Sequence, residues 1–257
     1  MIGAPFDSQD GDNRGVACLF DGSGALLTTV RSPEPGLTVT IGIGFAIAAL
    51  SDDTVVVSEP RGSGNHGAVH LIDTGSGAVV RTIESPTANG FGRFGSSLAI
   101  VGGNILIGAP YENIGESNSG AAFLFSPDGV LLHTFVSPNP TANSDFGKSV
   151  AEAGGNCLIG GKAEDGDVVA SYLFDAVSGS FIHRFAPPPG SPVLFFGQSA
   201  AYVEMDVLVG APYDTAAALD SRETTRDWRP RSTASRSCCK IAATSRAPSL
   251  RCGSRSR

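Results

Sequence analysis

The sequence predicts an all-β protein built from a tandem repeat of about fifty residues. A motif of the form Ile-Gly-Ala-Pro begins at residue 2 and returns, with substitutions, at residues 57, 107, 159 and 209. Short runs rich in Val, Ile, Leu, Phe and Ala alternate with Gly, Asp and Pro, a pattern typical of strands joined by turns. The repeat region has no long helical periodicity. Four runs in each unit predict the blades of a β-propeller, which bury one another's apolar faces.

The predicted strands follow one another in the same order in each unit. One run follows a Phe-Gly pair at Phe94, Phe146 and Phe196, and Ile43-Gly44 is a weaker copy. The Gly-Ala-Pro run comes next, and the Phe lies fourteen positions before its first Gly. The two later runs recur at residues 16–21, 68–73, 121–125 and 170–175, and at residues 26–30, 79–83, 131–135 and 181–185.

The fixed spacing of these motifs over residues 1–214 resembles the FG-GAP family, whose repeats form integrin α-subunit propellers and occur in many secreted or surface bacterial proteins. The resemblance implies that the Phe-Gly run is the innermost strand, the Gly-Ala-Pro run the second, and the two later runs the outer strands. It implies complete blades over 43–84, 94–135 and 146–185, an opening unit without its inner strand, and half a blade at 196–212. We therefore expect about four four-stranded blades in an incomplete or open array. Alternatively, residues 196–203 supply the missing inner strand and close a ring.

The composition changes near residue 215. Residues 216–257 hold nine Arg and one Lys against three acids, whereas residues 1–215 hold eight basic and 22 acidic residues. We predict FG-GAP-type repeats over 1–214 and a basic, unstructured tail over 215–257, for which a frameshift is one explanation. The rival interpretation, an arm that binds nucleic acid or membranes, lacks zinc spacing and aromatic platforms, so we expect no specific nucleic-acid partner.

The two ends of the chain bear on localisation. No run of eighteen apolar residues predicts a transmembrane helix, and the first residues lack the pattern of a signal peptide. The chain opens inside a predicted strand, so we expect a fragment of a longer protein. The resemblance implies an extracellular or cell-surface location.

Acidic residues gather in the loops that follow the Gly-Ala-Pro strands. Carboxylates at alternating positions suit Ca²⁺, although surface turns also favour Asp and Asn. We therefore predict calcium as a candidate cofactor in the first loop, at Asp7, Asp10, Asp12 and Asn13. Weaker candidates are Glu112, Asn113, Glu116 and Asn118 in the third loop, and Glu164, Asp165 and Asp167 in the fourth. The links in which many family members bind calcium, such as residues 102–104, are too short here.

No pattern indicates a catalytic site. His133 and His183 share a repeat position with Thr28 and Arg81, which predicts a solvent-facing site. Cys18 and Cys157 occupy strand packing positions in units that are not neighbours, so no disulfide is expected between them. Gly90–Gly95 matches the glycine spacing of nucleotide-binding loops, but it lies outside a βαβ unit and is interpreted as an ordinary turn.

We therefore predict a non-enzymatic recognition or adhesion scaffold. It would bind a protein or glycan ligand at the loops of one propeller end, where rigid strands display variable residues. One alternative is a fragment without independent function. Another is a propeller hydrolase or lyase, which is less supported because the inner strands supply Ser and Lys148 but no acid or His close to the Phe-Gly pair.

Overall fold

The computed structural model describes residues 1–7, 15–33, 42–87, 91–162, 169–186, 193–194, 199–203, 206–210, 213–214 and 238–241. Their strands form six sheets in which every strand pair is antiparallel. The helix among these residues, α1 (Gly62–Asn65), is a single turn. The prediction of an all-β, blade-like architecture is confirmed.

The sheets follow the repeat along the chain. The opening unit comprises β1 (Ile2–Ala4), β2 (Val16–Phe20) and β3 (Leu26–Val30). Blade 1 comprises β4 (Ile47–Ala49), β5 (Thr54–Glu59), β6 (Ala68–Asp73) and β7 (Val79–Glu84). Blade 2 comprises β8 (Ser97–Val101), β9 (Asn104–Ala109), β10 (Ala121–Phe125) and β11 (Leu131–Phe135). Blade 3 comprises β12 (Ser149–Ala153), β13 (Asn156–Lys162), β14 (Val169–Asp175) and β15 (Phe181–Phe185).

The remaining strands are β16 (Val193–Leu194), β17 (Ser199–Val203), β18 (Asp206–Gly210), β19 (Tyr213–Asp214) and β20 (Cys238–Ile241). β16 pairs with β19, and β17, β18 and β20 form a three-stranded sheet. Within every complete blade the strands pair in sequence order, so the predicted blade boundaries are confirmed. The alternative of ring closure is not observed in the part of the chain described, because β17 pairs with β18 and the opening sheet holds three strands.

Four apolar clusters hold neighbouring units together, one at each junction. The cluster between the opening unit and blade 1 includes Ala17, Val30, Ile43 and Ile72. The cluster between blades 1 and 2 is larger and includes Leu71, Ile83, Phe94 and Phe123. A third joins blades 2 and 3, and a fourth joins blade 3 to β18. Because each unit is buried mainly against its neighbours, the array is stabilised by nearest-neighbour contacts.

In blades 2 and 3 the Phe of the Phe-Gly pair packs on aromatic rings of its own blade. Phe94 lies 5.8 Å from Phe123 and 5.9 Å from Phe125 between ring centroids. Phe146 lies 5.5 Å from Tyr172 and 6.0 Å from Phe174 in the same tilted and edge-on geometry. Such offset and edge-to-face pairs add to the gain from burial. The recurring Phe is therefore required as the base of an aromatic stack.

Close packing between consecutive blades explains the recurring glycines. Gly147 has φ +89°, and a Cβ there would overlap the carbonyl oxygen of Ala121 in the preceding blade. A Cβ on Gly108 would in turn overlap the carbonyl oxygen of Gly147. The glycines of the two motifs meet between blades 2 and 3, and likewise at Gly3 and Gly44 between the opening unit and blade 1, which explains why the two motifs recur together.

The hairpin between the third and fourth strands closes with a recurring turn. Asp21, Asp73 and Asp175 each accept hydrogen bonds through Oδ1 from the amide and hydroxyl of a serine two or three residues later. These bonds hold the pKa of each carboxyl below its ordinary value by favouring the ionised form. In blade 2 the uncharged Ser126 takes this position, and its hydroxyl accepts from the Val130 amide.

The tail differs from expectation in one short segment. Of residues 215–257 the structure describes only Cys238–Ile241, which form β20 where we predict no regular structure. β20 pairs with β18 from Val207 opposite Ile241 to Gly210 opposite Cys238, and so takes the third-strand position of a blade. The pairing satisfies amide and carbonyl groups that an edge strand leaves exposed. The predicted division at residue 214 and the frameshift lie outside the described residues.

Candidate recognition pocket at the loop end

The segment that enters blade 2 lies on the loops that leave two Gly-Ala-Pro strands. The Phe94 amide donates to the His66 carbonyl in the loop after β5, at 3.2 Å. The Tyr111 amide, just after β9, donates to the Gly92 carbonyl at 3.1 Å. Three loops from blades 1 and 2 therefore meet at one end of the array.

A pocket of about 210 Å³ lies where these loops meet. We call it the junction pocket, and it is lined by Arg61, Phe91, Arg93, Tyr111 and Asn118. Phe91 is 68% exposed despite its size. Two guanidinium groups, two aromatic rings and one amide are therefore gathered at a junction between rigid blades.

The Arg93 side chain is held against an aromatic face. Its Cζ atom lies 4.7 Å from the centroid of the Tyr111 ring. The carbonyl of Arg93 accepts from both the amide and the hydroxyl of Ser96. Phe91 and Arg93 have φ values of +97° and +54°, which are costly for residues with a Cβ. The strained turn therefore presents the Phe91 and Arg93 side chains at the pocket.

Buried Glu112 fixes the turn from below. A Cβ on Gly92 would overlap the Glu112 carboxyl, so the glycine leaves room for this acid beneath the turn. Glu112 is 1% exposed, and its Oε1 accepts from the Ser85 hydroxyl of blade 1 at 3.1 Å. Glu112 is not part of the pocket lining, whose charged side chains are Arg61 and Arg93.

A second polar group is buried between the opening unit and blade 1. Glu59 Oε2 accepts from the Ser32 hydroxyl at 2.8 Å and lies 3.3 Å from His70 Nε2. His70 Nδ1 lies 3.0 Å from the Thr82 hydroxyl. The ring nitrogens of His70 are both occupied, Nε2 by Glu59 and Nδ1 by Thr82, which does not match the serine–histidine bond of a catalytic triad. His70 is fully buried, so this network is structural.

Ser32–Glu59 and Ser85–Glu112 are equivalent bonds, although the acids occupy different repeat positions. Glu112 stands two residues after the Gly-Ala-Pro proline, where blade 1 has Gly62. A Cβ on Gly62 would lie 3.1 Å from the Glu59 side chain, so Glu59 fills the space next to Gly62. Each bond links the Ser-Pro serine of one unit to a buried acid of the next.

The predicted calcium site falls largely outside the described residues. Of Asp7, Asp10, Asp12 and Asn13, only Asp7 is described. Its carbonyl accepts from the Gly15 amide at 3.2 Å, which brings the two ends of the loop together. Asp7 occupies the same repeat position as the structural Glu112, so a structural role is the alternative to calcium binding for Asp7.

The third acidic loop lies within the described residues, and some of its polar side chains have partners in the chain. Glu112 is bound to Ser85, and Asn113 Oδ1 accepts from the Asn118 amide at 2.7 Å. Among the described residues no three His, Cys, Asp or Glu side chains form a group that could hold a metal. Calcium binding in the third loop stays a prediction, and Glu164, Asp165 and Asp167 lie outside the described residues.

The remaining sequence candidates have structural surroundings. Arg81 and His183 are exposed as predicted, whereas His133 is half-buried and its Nε2 lies 3.0 Å from the Val177 carbonyl. Cys18 and Cys157 are free thiols, and burial raises the pKa of Cys157 to about 12. On the inner strands, the Ser97 hydroxyl donates to the Gly147 carbonyl at 2.9 Å.

Sequence reasoning missed the junction pocket. The pocket turn lies within Gly90–Gly95, whose glycine pattern we interpret as an ordinary turn. The sequence feature that indicates the pocket is a difference between this turn and the same positions of the next unit. Arg93 and Phe91 stand where the next unit has Asp145 and Asn143. Glu59 and His70 likewise replace Ala109 and Phe123 of blade 2. At both the junction pocket and the Glu59–His70 pair, two residues on neighbouring segments differ from the residues at the same repeat positions of another unit.

Comparison with known families supports the repeat assignment. The family model of the FG-GAP repeat matches residues 83–125, from the end of β7 to the end of β10. A search of curated proteins found no match. No helix among the described residues is both long enough and apolar enough to cross a membrane. The match contains four of the five pocket residues, and it supports the assignment of this segment as an FG-GAP repeat.

Proposed function

We propose that this chain is a non-enzymatic recognition scaffold that works outside the cell or at its surface. It binds a protein or glycan ligand at the loop end that carries the junction pocket. The observation that supports this most is the convergence of Arg61, Arg93 and the exposed Phe91 on loops between rigid blades. Loops on a rigid scaffold are where binding residues concentrate in proteins.

The surroundings of the polar side chains favour binding over catalysis. Inner-strand Ser97 donates to a backbone carbonyl, and Lys148 Nζ lies 3.9 Å from Asp145 Oδ2. The Glu59–His70 pair is fully enclosed. The junction pocket, in contrast, offers cationic and aromatic groups but no acid or histidine in its lining.

An array experiment tests the proposal. The full chain is incubated with glycan and extracellular-protein arrays, with and without Ca²⁺, beside an Arg61→Ala/Arg93→Ala variant. We expect at least one ligand that the variant binds at least about tenfold more weakly, since each charged contact contributes about 1.5–3 kcal/mol. An absence of ligands, or ligands that bind both forms equally, would contradict the proposal.

We propose calcium in the first loop as a separate property. The hydrogen bond between Gly15 and Asp7 joins the two ends of the loop, and the sequence between them includes the oxygen ligands Asp10, Asp12 and Asn13. Calorimetry with Ca²⁺ should give a binding isotherm that Asp10→Asn/Asp12→Asn abolishes. The matched control Asp128→Asn, in the turn of blade 2, should leave it unchanged. No heat of binding for the parent chain would refute the site.

A further inference from the structure

We infer that the junction pocket binds the carboxylate of an acidic sugar residue, a hexuronate at the end of a glycan. This inference rests on the proposed function, because it names the ligand class of the same loop end.

The charge of the lining selects an anion. Neither Arg61 nor Arg93 forms an ion pair with a described residue of the chain. The Arg93 guanidinium lies over the Tyr111 ring, 4.7 Å from its centroid, and this cation–π contact restrains the side chain at the pocket. A planar guanidinium edge matches a carboxylate through two parallel hydrogen bonds. The pocket therefore holds donors suited to one carboxylate.

The size of the pocket and the charge of the whole chain limit the ligand further. The volume of about 210 Å³ is below the range of drug-sized ligands, so it accepts a single monomer. Residues 1–215 hold eight basic and 22 acidic residues, and this negative field opposes a highly charged polyanion. A single acid on an otherwise neutral body fits both limits.

The neutral part of the lining favours a sugar over a peptide. Phe91 offers an exposed ring against which the C–H face of a sugar can be buried. Asn118 Nδ2 donates to Asn143 Oδ1 at 3.1 Å, which leaves Asn118 Oδ1 to accept from a sugar hydroxyl. A peptide that binds by strand addition requires an open sheet edge, whereas β5 and β9 are interior strands of their sheets.

The experiment compares two probes that differ in the acid alone. The full chain is titrated with p-nitrophenyl β-D-glucuronide and with p-nitrophenyl β-D-glucoside by calorimetry. We expect the glucuronide to bind at least about tenfold more tightly. Arg93→Lys, which loses the fork geometry, and Arg61→Gln should each weaken glucuronide binding roughly tenfold. The matched control Arg184→Gln, at an exposed arginine of β15, should change it less than about twofold.

Several outcomes would overturn the inference. These are equal binding of the two glycosides, no glucuronide binding, an equal loss with Arg184→Gln, and tighter binding of a capped peptide with one glutamate. If the glycoside titration gives one of these outcomes while the arrays still show ligands that depend on Arg61 and Arg93, only the hexuronate inference fails and the scaffold function stands. If no ligand depends on the loop end, the proposed function fails as well.

Discussion

Two neighbouring junctions of this array fill the same space in opposite ways. Between blades 1 and 2, Phe94 packs on Phe123 and Phe125. Between the opening unit and blade 1, the equivalent positions hold Ile43, His70 and Ile72, and His70 bonds to Glu59. The difference teaches that a blade junction accepts a buried polar network in place of aromatic rings when each polar group finds a partner.

Removing one member of the polar network should have the largest effect. Glu59→Ala leaves His70 Nε2 buried without its partner, and we expect a loss of about 3 kcal/mol in unfolding free energy. The double variant Glu59→Ala/His70→Phe carries the residues of the blade 2 junction and should return to within about 1 kcal/mol of the parent. Urea unfolding of the full chain measures both values. A double variant as unstable as the sum of the singles would show that the two junctions are not interchangeable.

The second largest difference in stability between the junctions should come from substitutions at Gly108 and at Ser58, its equivalent in blade 1. Gly108→Ala forces a Cβ onto the Gly147 carbonyl oxygen and the Ser97 hydroxyl, so we expect a loss of about 2–3 kcal/mol. Blade 1 already holds Ser58 at this position, and Ser58→Ala removes only the bond from the Ala46 amide, at about 1 kcal/mol. Chemical denaturation of the two variants side by side gives the comparison, and equal losses would contradict it.

The serine bonds between units should differ more modestly. Ser85→Ala removes the hydroxyl donor of Glu112, whose Oε2 has no hydrogen-bond partner among the described residues, so we expect a loss of about 2 kcal/mol. Ser32→Ala leaves Glu59 bound to His70 and should cost about 1 kcal/mol. Thermal melts at one pH rank the pair. A larger loss for Ser32→Ala would reverse our ordering of the two sites.

The exposed turns should have the smallest effect, with a pH dependence. Because folding lowers the pKa of Asp21, Asp73 and Asp175, their contribution is present above the unfolded value of about 3.9 and is lost as pH falls through the folded pKa. Converting all three to Asn should lower the Tm slightly at pH 7 and flatten its decline below about pH 4. Ser126→Ala, in the uncharged turn of blade 2, should shift the Tm equally at every pH. An acid limb identical to that of the parent would exclude the three carboxyls as its cause.

The blades could be predicted from sequence because their causes are local and repeated. The Phe-Gly spacing, the Gly-Ala-Pro strand and the turn residues place each strand without knowledge of its neighbours. The junction pocket could not be predicted in this way, because Arg61 and Tyr111 lie about fifty residues apart and meet only when blades 1 and 2 pack. The Glu59–His70 contact could not be predicted from the repeat positions alone, because it depends on how the side chains of two paired strands, β5 and β6, meet.

Glu59 and Gly62 show how such repeats can diverge without losing a contact. Aligned by position, blade 1 has a glycine where blade 2 has an acid. In blade 1 the acid lies three residues earlier in the sequence, at Glu59, and its carboxyl still accepts a hydrogen bond from the serine of the preceding unit. A search for degenerate copies of this repeat should therefore ask whether some nearby residue fills the buried space and accepts the serine hydrogen bond. A position-by-position alignment would count this contact as lost.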